Sequence, residues 1–245
     1  MKLIDESWLD ADGVFETLRT YQNKPFAFAR HLERMNLGIK ELKIPAPSNV
    51  EIEGKVNEYL ASNPQTSGHL RIVIDRSGNL SISHNLLKPI SNHLKVVVVD
   101  QKSIKGLLYK STNYRERLQL RRDAANASFD DSIISDGAQI VESTTCNLIY
   151  FSNGRWFTPP LSSGCLPGVT RELLIENFGL QEKLLPTIEL EKVGALAMIS
   201  SLREIEKIQE VNGKVFPHSH SLERLQVEFH AWILGNLALS KSVIK

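Results

Sequence analysis

The sequence predicts an α+β fold in two domains, and three observations carry that expectation. The chain has 245 residues, enough for two domains of roughly 100–150 residues each. Some stretches alternate apolar and polar residues, whereas others repeat apolar residues at spacings of three and four, so strands and helices are mixed. Asp136-Gly137, Asn153-Gly154 and Asn212-Gly213 separate strand-like stretches, which marks antiparallel hairpins.

In the first hundred residues Val14 to Tyr21 reads as a strand, Gln22 to Pro25 as a turn, and Phe26 to Phe28 as the returning strand. Leu32, Met35, Ile39 and Leu42 predict a helix over 29–43, ended by Pro45 and Pro47. Ile52, Val56 and Leu60 mark a second helix. His69 to Asp75, a return through Leu80 to Ser83, and the valine-rich run Leu94 to Asp100 read as strands. This predicts a small domain over 1–100 with a mostly antiparallel sheet. Residues 101–106 read as a linker and 107–245 as a larger, strand-rich domain. There Leu118 and Arg121 to Ala125 suit a helix, and Asp131 to Asp136 leads through Asp136-Gly137 to the strand Gln139–Glu142. Hairpins at 147–158 and 205–216, a helix after Gly168, a short helix over 189–192, a strand at 196–200 and a closing helix with Leu222, Leu225, Phe229, Trp232 and Ile233 complete it.

Composition narrows the function classes. Lys+Arg is 29 and Asp+Glu 28, so no charge excess argues for nucleic acid or a membrane surface. The two cysteines, Cys146 and Cys165, lack metal spacing and suggest no disulfide scaffold. The acidic turn at Asp5-Glu6 argues against a signal peptide, and no apolar run reaches membrane-spanning length. A cytoplasmic protein is expected. His218-Ser-His220 lacks a third ligand, so no metal site is expected. No dinucleotide fingerprint, P-loop or serine nucleophile elbow is present.

The candidate chemistry concentrates between Lys110 and Arg171. A lysine with a lowered pKa forms imines with carbonyls, and Lys110 follows an apolar segment; the plain alternative is a surface lysine at a strand end. Glu142, after two apolar residues, suits a buried carboxylate needing a cationic partner such as a protonated pyridine; the alternative is an exposed strand glutamate or an arginine pair. Leu166-Pro-Gly-Val-Thr170-Arg171 reads as a turn opening a helix, a place where backbone amides and a hydroxyl bind anions. An ordinary cap by Thr170 is the alternative. Ser200-Ser201 after a strand adds hydroxyls, or is a simple turn.

These pieces, in this order, resemble the class IV aminotransferase family, the fold-type IV pyridoxal-phosphate enzymes. The resemblance rests on Gly13-Val-Phe-Glu-Thr-Leu-Arg19, His31-Leu-Glu-Arg34, Lys110-Ser-Thr-Asn-Tyr114, Glu142 with Asn147-Leu-Ile-Tyr-Phe, Thr158-Pro-Pro with Leu166-Pro-Gly-Val-Thr-Arg171, and Ser200-Ser-Leu-Arg-Glu-Ile205. It implies a small α/β sandwich domain, a larger pseudo-barrel domain, pyridoxal 5'-phosphate held between them, and a homodimer acting on a small molecule. Lys110 would bind the cofactor covalently and move the substrate proton, and Glu142 would bind the ring nitrogen. Arg34, Val169, Thr170 and Ser201 would hold the phosphate. Tyr114 would lie near the ring's phenolic oxygen, and Asn147 would support the cofactor. Thr17 and Arg71 are candidate substrate contacts, Arg71 for a carboxylate. The short Lys-x-x-Asn segment, Thr17 and Ser-Leu-Arg203 bring the pattern closest to 4-amino-4-deoxychorismate lyases. Aminotransferases of D- or branched-chain amino acids are the alternative.

Overall fold

A computed structural model describes residues 7–89, 93–102 and 108–239. The chain divides into two compact units, Met1–Lys88 with Leu107–Glu116, and Pro89–Gly106 with Arg117–Lys245. Most of the expected linker, 103–106, lies outside the described residues.

In the first unit, strands β1 (Val14–Tyr21), β2 (Lys24–Pro25), β3 (Ser67–Ile74) and β4 (Leu80–Leu86) form an antiparallel sheet in the order β2-β1-β3-β4. Successive side chains of a strand point to opposite faces. Val14 and Leu18 of β1, with Leu70, Ile72 and Ile74 of β3, therefore share one face. They pack against Leu32 and Met35 of helix α1 (Phe28–Glu41) and Ile52, Val56 and Leu60 of helix α2 (Asn49–Ser62). Each such fully buried side chain contributes about 1.5–3 kcal/mol. A capping box starts α2: the Ser48 hydroxyl accepts from the Glu51 N–H, and the Glu51 carboxylate accepts from the Ser48 N–H. The opposite face of the sheet carries Phe15, Thr17 and Arg19, paired with Val73, Arg71 and His69.

Two strand readings change. The strand returning from β1 is Lys24–Pro25, and Phe28 is already helical. Gln22 and Asn23 both take positive φ, 47° and 67°, which makes a two-residue turn that sets Lys24 directly opposite Tyr21. Leu94–Asp100, read with the first sheet, is strand β5 and belongs to the second. It lies there between two parallel neighbours. An interior parallel strand needs no alternation, which is why its valine run carried no facing signal.

The second unit holds a nine-stranded sheet in the order β10-β9-β8-β11-β12-β5-β6-β7, with β13 beside β12. Its strands after β5 are β6 (Asp131–Ser135), β7 (Ile140–Ser143), β8 (Asn147–Ser152), β9 (Arg155–Thr158), β10 (Gln181–Glu182), β11 (Ala195–Ser200), β12 (Glu204–Val211) and β13 (Lys214–Val215). The sheet curls into a half-barrel, and edge strand β7 leads within three residues into β8; the Ser143 N–H donates to the Cys146 carbonyl at 2.8 Å. Leu148, Tyr150, Leu196, Met198, Ile133 and Ile208 belong to the core it encloses. Helices α3 (Arg115–Asn126), α4 (Val169–Phe178) and α5 (His220–Leu239) complete the α+β architecture. Asn153-Gly154 and Asn212-Gly213 form the expected two-residue turns with positive φ at both positions. Asp136-Gly137 does not: β6 and β7 meet at Ser135 and Ile140, leaving a four-residue loop. The Asp136 carboxylate accepts there from the Ala138 and Gln139 N–H groups at 2.9 and 2.7 Å. Among the described residues no helix is long and apolar enough to cross a membrane.

Candidate active site

The residues singled out by the sequence fall into two groups, one in each unit. In the first unit, Lys110 sits on a segment that adds to the edge of β1. The Phe15 N–H donates to the Lys110 carbonyl at 3.0 Å, and the Thr112 N–H to the Gly13 carbonyl at 2.9 Å. Buried Thr112 accepts from the Gly13 N–H at 2.8 Å through its hydroxyl. A Cβ on Gly13 would stand 1.9 Å from the Ile74 carbonyl oxygen, so only glycine lets these backbones meet. The Lys110 Nζ lies 5.0 Å from the centre of the Phe15 ring and 5.2 Å from that of Tyr114, and the two rings meet edge to face at 5.4 Å. Tyr114 and Lys110 are therefore neighbours.

Arg34 is occupied in a way the sequence reading missed. Its Nε donates to Glu16 Oε1 at 2.7 Å and its Nη2 to Glu16 Oε2 at 2.6 Å, while His31 Nδ1 donates to Oε2 at 2.7 Å. The three residues are 8 %, 0 % and 1 % exposed for Arg34, Glu16 and His31, so this is a buried ion-pair cluster. Burial works to raise the Glu16 pKa, but the Arg34 guanidinium and the His31 contact outweigh it and bring it down to about 2. Burial holds the His31 pKa below its ordinary value; Glu16 opposes this, and the charges of Arg34 and Lys110 add to the lowering. Lys110 and the Glu16 cluster thus share one electrostatic neighbourhood. The signal for Glu16 was present: period two places it on the same face as Val14 and Leu18, where a charge needs a partner.

Thr17 and Arg71 are direct cross-strand partners, and so are Arg19 and His69. The Thr17 hydroxyl is buried and accepts or donates no hydrogen bond among the described residues. The His69 pKa is pushed down to about 4, first by burial and then by the Arg71 charge, which leaves the ring neutral near pH 7. The Arg71 guanidinium lies 6.0 Å from the Phe15 ring centre.

In the second unit, Glu142 on β7 is 3 % exposed. Its Oε2 accepts from Asn147 Nδ2 and from the Leu166 N–H, both at 3.1 Å. Asn147 also donates to the Leu166 carbonyl at 2.9 Å. This ties β7, β8 and the loop before α4 together. Arg117 Nη2 stands 2.7 Å from Oε1, yet Oε1 is buried and no N–H or O–H among the described residues is directed at it. A buried carboxylate oxygen beside a guanidinium but with no hydrogen directed at it suits a further N–H donor. The protonated nitrogen of a pyridine ring is such a donor.

The start of α4 follows at once. Gly168 is the residue before its first turn and provides no side-chain cap. A Cβ there would stand 1.9 Å from Asn147 Oδ1, so the helix start and the Glu142–Asn147 clamp are fitted to each other. Buried Val169 and Thr170 present first-turn amides, whose N–H groups lack partners within a helix. Buried Arg171 anchors this turn through the Pro159 carbonyl at 3.0 Å and through Glu182. Ser201 lies in the turn between β11 and β12, two residues after Ile199, which pairs with Asn147. Glu142, Asn147, Val169, Thr170 and Ser201 therefore converge on one end of this sheet. Arg117 is the arginine partner that the sequence left open for Glu142, and the Leu166 N–H is the missed member, because it lies 24 residues further on with no fixed spacing to Glu142.

A family model described as amino-transferase class IV matches residues 13–211. An aminodeoxychorismate lyase of Bacillus subtilis is 30% identical over 240 residues, covering 85% of this chain and 81% of that protein. Among solved structures, a branched-chain aminotransferase from Thermoproteus uzoniensis with norvaline superposes with a TM-score of 0.82 at 22% identity, covering 92% of this chain and 86% of that one. A hypothetical aminotransferase from Mycobacterium tuberculosis in its PLP-bound form gives 0.80 at 19% identity, over 96% and 95% of the two chains.

Proposed function

The chain belongs to the class IV aminotransferase family, and on that premise we propose that it is a pyridoxal-phosphate-dependent 4-amino-4-deoxychorismate lyase, which eliminates pyruvate to leave 4-aminobenzoate. The likeness to the Bacillus subtilis lyase over most of both chains carries this reading. The cross-strand set Thr17, Arg19, His69 and Arg71 supports it, because the substrate bears two carboxylates and two arginines share that face.

When bound, pyridoxal phosphate supplies an aldehyde for an amine and an electron-withdrawing ring. In this reading Lys110 holds the cofactor through its Nζ, and once displaced takes the proton from the substrate carbon that bears nitrogen. Glu142 would hold the ring nitrogen and favour its protonated form. The Val169 and Thr170 amides, with the Thr170 and Ser201 hydroxyls, hold the phosphate. Arg34, fixed by Glu16, would add positive charge for that anion, and Tyr114 would lie near the ring's phenolic oxygen. Asn147 fixes Glu142 in place. Thr17 and Arg71 orient the substrate. Loss of the proton from the carbon that bears nitrogen breaks the C–O bond at the neighbouring ring carbon and releases enolpyruvate, which gains a proton on carbon to become pyruvate, and aromatisation drives that step. An aminotransferase with the same residues would return the proton and release a keto acid; D- and branched-chain amino acids are its candidate donors. A cytoplasmic homodimer completes the proposal.

The deciding measurement offers the protein aminodeoxychorismate and reads 4-aminobenzoate, then offers D- and L-amino acids with 2-oxoglutarate and reads keto acid. Product in the first assay is expected; turnover confined to the second would replace the lyase reading with the aminotransferase one. Borohydride reduction should fix the cofactor to Lys110 in a peptide map, and fixation on a different lysine would remove Lys110 from its role.

A further inference from the structure

We propose that His218, His220 and Glu223 form a surface site for one divalent transition-metal ion, at the start of α5. The sequence reading set the two histidines aside for want of a third ligand. The fold supplies it: Glu223, in the first turn of α5, brings one carboxylate oxygen to 2.7 Å from His218 Nε2 and the other to 3.5 Å from His220 Nδ1. One ligand atom from each residue lies within 4.8 Å of the other two. Ligand atoms at about 2.1 Å from a shared ion sit roughly 3.0–3.4 Å from one another; the two nitrogen–oxygen separations involve different oxygens of Glu223, and rotation of these exposed side chains would bring one oxygen and both nitrogens to that spacing. The imidazoles meet edge to face with centres 4.6 Å apart, which turns different nitrogens of the two rings toward the same carboxylate.

The chemistry of the set selects the ion. Two imidazoles and one carboxylate favour zinc, nickel, cobalt or copper over magnesium and calcium, which prefer all-oxygen shells. The side chains are 56 %, 92 % and 57 % exposed for His218, His220 and Glu223, so water can complete the coordination. All three belong to a stretch of six residues spanning the entry to one helix, and an ion would clamp the preceding segment to its first turn. The positive end of the helix dipole works against a cation there, and the side chains must lose rotamer freedom. Micromolar rather than nanomolar affinity follows. The site is independent of the proposed catalytic residues.

Titration calorimetry on the untagged, cofactor-loaded full chain tests this, with zinc chloride and separately magnesium chloride. One zinc ion per chain should bind with a Kd of about 1–100 µM, and magnesium should not bind in that range. His218→Ala and Glu223→Gln should each weaken zinc at least tenfold, and the His218→Ala, His220→Ala double variant should lose the site with its circular dichroism spectrum intact. Zinc binding unchanged in the double variant, magnesium binding as tight as zinc, or no zinc binding up to about 1 mM would each overturn the proposal.

Discussion

Glu16 and Glu142 are both buried strand glutamates, one in each unit, and they are solvated by the protein in opposite ways. Glu16 is saturated: Arg34 grips both of its oxygens and His31 adds a third contact. Glu142 is saturated on Oε2 alone, and its Oε1 has a nearby arginine but no directed hydrogen. A buried carboxylate with both oxygens engaged by protein donors has little capacity for a ligand and acts by fixing its neighbours. One with an oxygen left over retains that capacity, at a cost the fold carries until a donor arrives. The difference is the reason why Glu16 is read as architecture and why the proposed function gives Glu142, not Glu16, a ligand to hold.

Substitutions sharpen or break this contrast. Glu142→Gln should have the largest effect, because it removes the charge that stabilises a protonated ring nitrogen. Turnover should fall roughly 10²–10³-fold while the protein, measured by its absorbance after gel filtration, still retains the cofactor. Unimpaired turnover would end the distinction. Glu16→Gln should instead register in stability, by about 3 kcal/mol at pH 7 in denaturant titrations, since it strands a buried guanidinium. Its pH signature has a definite sign. The folded pKa near 2 lies below the ordinary 4.5, so the stabilisation is full above pH 4.5 and fades as pH falls toward 2. The gap between wild type and variant should close over that window, and a constant gap would mean that the ion pair is not its source.

Gly168→Ala is expected to have an intermediate effect. The new Cβ would force Asn147 off its position, costing about 1–3 kcal/mol and weakening cofactor binding about tenfold, read by fluorescence titration. A neutral result would mean that the helix start and the Glu142 clamp move independently. Ser48→Ala gives the smallest effect. Loss of the capping box of α2 should lower the melting temperature by about 2–4 °C with turnover unchanged, which calibrates a purely structural loss in the same unit as Glu16.

Much of the fold was legible because its rules are local. The apolar spacing gave α1 and α2, and Asn-Gly pairs gave two hairpins at the expected positions. Where a signal depended on a partner, local rules failed. Asp136-Gly137 promised a tight hairpin, but Asp136 folds its own carboxylate over the loop. Glu223 stands beside His218 and His220 because the first turn of α5 places it there, which the spacing of the two histidines does not show.

By itself the sequence determined the α+β class and the family, and with the family the cofactor, since strand period, helix period and ordered motifs are written along the chain. Only the tertiary structure decided which sheet receives Leu94–Asp100, which glutamate is saturated, and how Lys110 is held at the edge of β1. Those outcomes rest on contacts such as Gly13 with Thr112 and Glu142 with Leu166, separated by 99 and 24 residues. Hydrogen bonds over such distances are fixed by packing, and no local pattern specifies them.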